Sequence, residues 1–211
     1  MATPRTKGRA GLSDLPAGPH DEPAASEPRQ TSAFTLRIEL VEDAGDWSAF
    51  GDGAALATLI QNAADAVARA GPDALRIPGP GRLAEAVVAL SSDTEVAALN
   101  GQYRGKKKPT NVLSFPAPER AAQDFGDDEA PLALGDIIVA AETVLIEAAD
   151  MGIMPADHLR HLIVHGLLHL LGYDHQEAGE ADEMEALETH ILATLGVADP
   201  YAGSEPADVP S

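Results

Sequence analysis

The chain has 211 residues, no cysteine and a formal net charge of −20. That length suits one domain with a substantial core. The lack of cysteine excludes disulfides and thiolate metal clusters, so only His, Asp and Glu remain to hold a metal ion.

No apolar run of about 18 residues appears, and the N-terminal stretch lacks the apolar centre of a signal peptide. We therefore expect a cytoplasmic protein with no membrane partner. Residues 1–32 are rich in Pro, Gly, Ala and Ser without periodicity, and read as a disordered extension to a domain spanning 33–197. FTLRIELV, from Phe34, alternates as a first strand. Leu56, Leu59, Ile60, Ala63 and Val67 mark an amphipathic helix that Gly71 and Pro72 end. GPDALRIPGPGR is a Pro/Gly loop, AEAVVALSS a second strand, and DTEVAALNGQYRG a short helix with Asp93 as its N-cap. NVLSF is a third strand, and the acidic segment from Pro116 to Pro131 a long loop.

LGDIIVAAE gives a fourth strand that runs into a helix through Thr143, Val144, Ile146 and Glu147. Pro155 suits the first position of the next helix, with Asp157 favourable near its positive end. A last helix, from about Gly179 to Leu195, sets Met184, Leu187, Ile191 and Leu195 on one stripe and carboxylates on the rest. Gly196 stops it, and residues 198–211 read as a disordered acidic tail. The order β-α-β-α-β-β-α-α-α predicts an α+β fold: one domain with a small mixed β-sheet packed by helices, the histidine-bearing helix at its centre.

That helix carries the chemistry. It is apolar almost all round, through Leu159, Leu162, Ile163, Leu167 and Leu170, and its one polar stripe is His158, His161, His165 and His169. In HGLLHLLGYDH, His165 and His169 share a face at i, i+4, Gly172 ends the helix, and the chain can double back to bring His175 as a third nitrogen. An HxxxH pair alone fits a surface or a core hydrogen bond as well as a metal. The added glycine and returning histidine complete an open site of three neutral nitrogens with a fourth position for water. The rival trio His161, His165 and His169 spans roughly 12 Å of rise, too long for one ion. His161 then supports a ligand or faces substrate, and His190, alone on the acidic last helix, is structural or merely exposed. The spacing is that of metzincin peptidases, except that Gly166 replaces their catalytic Glu, which argues against peptide hydrolysis by that route.

The overall acidity argues against a nucleic-acid partner, but its distribution does not. Arg104 to Lys108 reads RGKKK, and no acidic residue lies between Glu95 and Glu119. Alone, such a run reads equally as a solvated loop.

Taken together, HGLLHLLGYDH, YRGKKKPTNVLSFP at Tyr103 to Pro116 and LGDI at Leu134 to Ile137 resemble the YbeY family of bacterial metal-dependent endoribonucleases of ribosomal RNA maturation, over about residues 34–196. The resemblance implies one Zn2+ or other divalent transition metal ion on His165, His169 and His175. It also implies a basic cleft for single-stranded RNA with Arg104 as the catalytic arginine. Lys106, Lys107 and Lys108 would attract the RNA backbone. The implied partners are rRNA precursors and the ribosome or its proteins, not DNA. A metal ion lowers the pKa of bound water to about 7, which compensates for the missing Glu. Assisted attack by the RNA's own 2′-hydroxyl is the equal alternative. Asn111 and Ser114 either line the cleft or supply ordinary strand polarity, and Asp174 either orients a ligand or caps the turn. Two other functions stand beside this one: an RNA- or ribosome-binding assembly factor whose metal is mainly structural, and a metal hydrolase of another substrate.

Overall fold

Strand β1 (Thr35–Glu42) turns Leu36 inward, and helix α1 (Gly53–Ala70) covers it with a face of Leu56, Leu59, Ile60, Ala63, Ala64 and Val67. A 3₁₀ turn, Ser48–Phe50, joins them, and Asp52 accepts from the Ala55 amide at 2.8 Å to start α1. This computed structural model describes residues 34–70, 82–118, 130–173 and 178–202. The extension, most of the Pro/Gly and acidic loops, and residues 203–211 of the tail lie outside the described residues. The remaining elements are β2 (Leu83–Ser91), α2 (Asp93–Arg104), β3 (Val112–Pro116), β4 (Leu132–Ala140), α3 (Ala141–Met151), α4 (Pro155–Leu170) and α5 (Ala178–Thr194). Their order is the predicted one.

The four strands form one mixed sheet in the order β1-β2-β4-β3, parallel except for the antiparallel pair β3–β4. Gly135 of the LGDI segment adopts φ 127°, and a Cβ there would collide with the Phe115 carbonyl oxygen, so only glycine lets β4 pass β3 so closely. Helices α1 and α4 pack on one face of the sheet, while α2 sets Val96 against Leu113 and Ala140 on the other.

One expected cap is wrong. Ser92, not Asp93, caps α2, its hydroxyl accepting from the Glu95 amide. Asp93 instead accepts from the backbone and hydroxyl of Thr143 at 3.0 and 2.7 Å, capping the neighbouring α3. Glu142 returns the favour to the Asp93 amide at 2.8 Å, so the carboxylates tie two helix N-termini together. At the other end of α2, Gly105 goes left-handed at φ 70°. Buried Asn100 donates to the Lys108 carbonyl at 2.8 Å and fixes the loop carrying RGKKK.

Helix α4 is central, packed by α1, α3, α5, β3 and β4. Leu159, Ile163, Val164, Leu167, Leu168 and Leu170 are fully buried, each stabilising the fold by about 2 kcal/mol of transfer free energy. Gly166 faces the sheet, where an added Cβ would lie 2.9 Å from Ile137 Cδ1. The position that holds a base in the peptidase pattern is here a helix–sheet contact with no room for a side chain.

Candidate metal centre and cleft

His165 and His169 sit one turn apart on the cleft side of α4, with Nε2 atoms 3.0 Å from each other. Each ring is fixed through its other nitrogen. His165 Nδ1 meets Glu188 Oε1 at 2.8 Å, and His169 Nδ1 meets the Tyr173 carbonyl at 2.9 Å. A carboxylate and a carbonyl only accept, so both Nδ1 atoms donate, and in the neutral rings both Nε2 atoms carry lone pairs. Two lone pairs so close repel unless a proton or cation lies between them. Their separation is near the roughly 3.3 Å expected of two nitrogens on one tetrahedral ion. Anchored Nδ1–H groups are also the usual support for histidine ligands.

Gly172 takes the left-handed conformation expected of a helix-ending glycine. At φ 100° it lets the Tyr173 amide reach back to the Leu168 carbonyl at 3.0 Å, which sets the Tyr173 carbonyl beneath His169. His175 and Asp174 lie outside the described residues.

Glu188 joins the site although the sequence pattern does not single it out. It is fully buried on α5, where the expected pattern gave carboxylates only to the exposed face. Its spacing is the overlooked signal: Met184, Glu188, Ile191 and Leu195 follow one helical stripe. Burial alone would raise its carboxyl pKa, but His161, His165 and Tyr201 around it lower it to about 2. Tyr201 donates its hydroxyl to Glu188 Oε2, and His161 Nε2 lies 3.8 Å from that oxygen. Residues 198–202, expected as the start of a disordered tail, therefore form a turn over α5, held by the buried carboxylate.

His161, His165 and Glu188 also offer three ligand atoms within 4.8 Å of one another, a second grouping able to hold a metal. The 2.8 Å contact from His165 to Glu188 is a hydrogen bond rather than the spacing of two ligands, so we read Glu188 as the anchor of His165. His158, on the same stripe, leaves the site altogether: it is buried and bonded to Glu147 Oε2 at 2.8 Å.

Both histidines open into a cleft of about 550 Å³ that Arg104, Thr110, Asn111 and Ser114 also line. Arg104, about sixty residues away in the chain, thus shares the site. Lys106, Lys107 and Lys108 are exposed on the adjoining loop and do not line the cleft. Asn111 lines it with a committed side chain, donating to Glu147 Oε2 at 2.9 Å and accepting from the Val112 amide at 2.7 Å. A larger groove of about 770 Å³ on the sheet carries Arg37, Glu39, Glu85 and Asp136 and no histidine. Its acid surplus disfavours an anionic ligand, whereas the smaller cleft brings two histidines and an arginine together.

A family profile described as Endoribonuclease YbeY matches residues 53–196. The Endoribonuclease YbeY of Rhodospirillum rubrum is 46% identical over 89% of this chain and 92% of its own length. That of Parvibaculum lavamentivorans is 46% identical over 84% and 91%. The Bradyrhizobium sp. protein of the same name is 56% identical over 59% of this chain and 73% of its own.

Proposed function

The chain belongs to the YbeY endoribonuclease family, and we propose that its cleft cuts single-stranded RNA in ribosomal RNA processing with the help of a divalent metal. His165 and His169 hold the ion with His175 as third ligand. The observation that carries this is the convergence of two imidazole lone pairs at 3.0 Å, each ring anchored through Nδ1, in a cleft shared with an arginine.

Zinc or another divalent transition metal held there would supply a water with pKa near 7 and positive charge against a phosphate oxygen. The protein's own residues do the rest. Glu188 and the Tyr173 carbonyl keep both imidazoles in the Nδ1–H form, so neither Nε2 turns away from the cleft. Arg104 takes a phosphate oxygen on its planar fork of donors and stabilises the extra charge that develops during cleavage. Lys106, Lys107 and Lys108 draw in the RNA backbone from outside, as steering groups rather than contacts at the scissile bond. The same arrangement serves attack by water or by the 2′-hydroxyl.

No described helix is long and apolar enough to cross a membrane, and we place the activity in the cytoplasm, on rRNA precursors and the ribosome. Metal content and single-strand cleavage, measured before and after chelation, test the proposal. We expect about one ion per chain and cleavage lost with it. Undiminished cleavage by demetallated protein sinks the reading.

A further inference from the structure

Glu188 has two oxygens and only one is used by His165. The other accepts from Tyr201, a residue thirteen positions later, past the end of α5. Tyr201 is itself tied down: its amide donates to Asp199 Oδ1 at 2.9 Å, and Thr189 on α5 donates to the same oxygen at 3.1 Å. The phenol ring stands edge-on to His161 with centroids 5.9 Å apart. A continuous run of contacts thus leads from Thr189 through Asp199, Tyr201 and Glu188 to His165.

We propose that Tyr201, held by the Asp199 turn, is a positioning residue of the metal centre, acting through Glu188 to fix the ring of His165. The inference rests on the assignment of His165 as a ligand. The physical reason lies in the freedom of a carboxylate. The last torsion of a Glu side chain is soft, so a buried carboxylate turns toward whatever donors surround it. With the Tyr201 hydroxyl removed, Oε2 loses its donor in a site closed to water, and the remaining donor on that side is His161 at 3.8 Å. Swinging toward His161 draws Oε1 off His165 Nδ1. His165 then samples its other tautomer and ring flip, and its Nε2 is no longer held toward His169. The phenol does not ionise in this role, since burial and the carboxylate beside it raise its pKa strongly.

The test uses the full chain with Tyr201→Phe, which keeps the ring and its packing and removes only the hydroxyl, and Asp199→Ala, which frees the turn. Zinc affinity is measured by competition with a chromophoric chelator. Ring-nitrogen NMR of the metal-free protein reads the His165 tautomer, and apo melting temperature monitors the fold. We expect both variants to bind zinc about tenfold more weakly, with His165 showing a tautomer mixture and the apo melting temperature lowered by a few degrees but the fold retained. Wild-type zinc affinity together with a single His165 tautomer in Tyr201→Phe overturns the inference. So does weaker zinc binding with a single His165 tautomer, which would trace the loss to stability alone. His165→Ala and His169→Ala separate the two levels. If these keep wild-type zinc affinity, the metal assignment itself fails; if they lose it while Tyr201→Phe does not, only the positioning role fails.

Discussion

Helix α4 carries two histidine–carboxylate pairs of equal length and opposite burial. In His158–Glu147 the imidazole is only 4% exposed and the carboxylate side chain 36% exposed, at 2.8 Å. In His165–Glu188 the distance is again 2.8 Å, but the imidazole is 24% exposed and the carboxylate not at all. The buried partner is the fixed one, and the other takes its orientation from it. In the first pair a histidine is sealed into the core and its carboxylate reaches outward to Asn111 at the cleft wall. In the second a sealed carboxylate aims a histidine into the cleft. The same two side chains make a structural joint in one case and, under the proposed function, a ligand mount in the other.

The sharpest break in that comparison is to delete the mounted ring. His165→Ala or His169→Ala is expected to lose tight metal binding and to lower RNA cleavage on the order of 10³-fold. Circular dichroism should remain close to wild type, because neither ring is part of the core. A variant that keeps full metal content and activity would remove the site from this end of the helix. Arg104→Ala comes next. It should cost about 100-fold in cleavage with metal affinity unchanged, since the role proposed for Arg104 is on the phosphate and it does not touch the histidines' anchors. Metal loss in Arg104→Ala would contradict that division of labour.

Removing the mount itself has a smaller effect on binding and a distinct signature in acid. Glu188→Gln should weaken metal affinity by about 10- to 100-fold. Because the folded carboxyl titrates at about 2 rather than 4.5, the unfolded state binds the proton first as pH falls. The stabilisation is complete above about pH 4.5 and is lost on the way down to pH 2, on the order of 3 kcal/mol. Urea titrations of the metal-free protein at pH 5, 4 and 3 should show this decline in wild type and a flatter profile in Glu188→Gln. Equal slopes would mean that the carboxylate is not held as described.

The mount was the part least legible in the sequence. Hydrophobic periodicity was enough for the strands and helices, since each buries one face, and local chain geometry was enough to pair His165 with His169. The glycine after them was recognised as a turn, but the bond it creates, from His169 to the Tyr173 carbonyl, uses a backbone oxygen that every residue possesses and no motif marks. Glu188 left a trace, an acid on an apolar stripe, masked by the many exposed acids of the same helix. Tyr201 left none, because its place depends on a tertiary contact across a turn that composition alone describes as tail. Asp93 misled for a related reason: it is a capping residue type beside a helix start, yet its carboxylate caps a different helix. Arg104 was found through its place in the RGKKK run and the family resemblance, while its nearness to the histidines is a product of the β3–β4 pairing and the packing of α4 beneath it.

The smallest expected effect falls on the sealed pair, and it is the one that separates a joint from a mount. The folded His158 has its pKa lowered by burial, against the opposing pull of Glu147. Its Nε2–H donates to Glu147, and its Nδ1 is buried with no hydrogen-bond partner among the described residues. Protonating Nδ1 would place a charged donor where nothing accepts it, so the folded state keeps the ring neutral. Below about pH 6.5 the unfolded chain takes up that proton more readily, so stability present above pH 6.5 falls as pH drops toward the folded value. His158→Phe fills the same space without titrating. At pH 7.5 it should lose about 1 kcal/mol for the missing bond to Glu147, and between pH 6.5 and 5 its stability should fall less steeply than wild type. Metal affinity should be unchanged and cleavage within about twofold. If His158→Phe instead released the metal, the two ends of α4 would belong to one site, and the direction of burial would no longer tell a ligand from a core histidine.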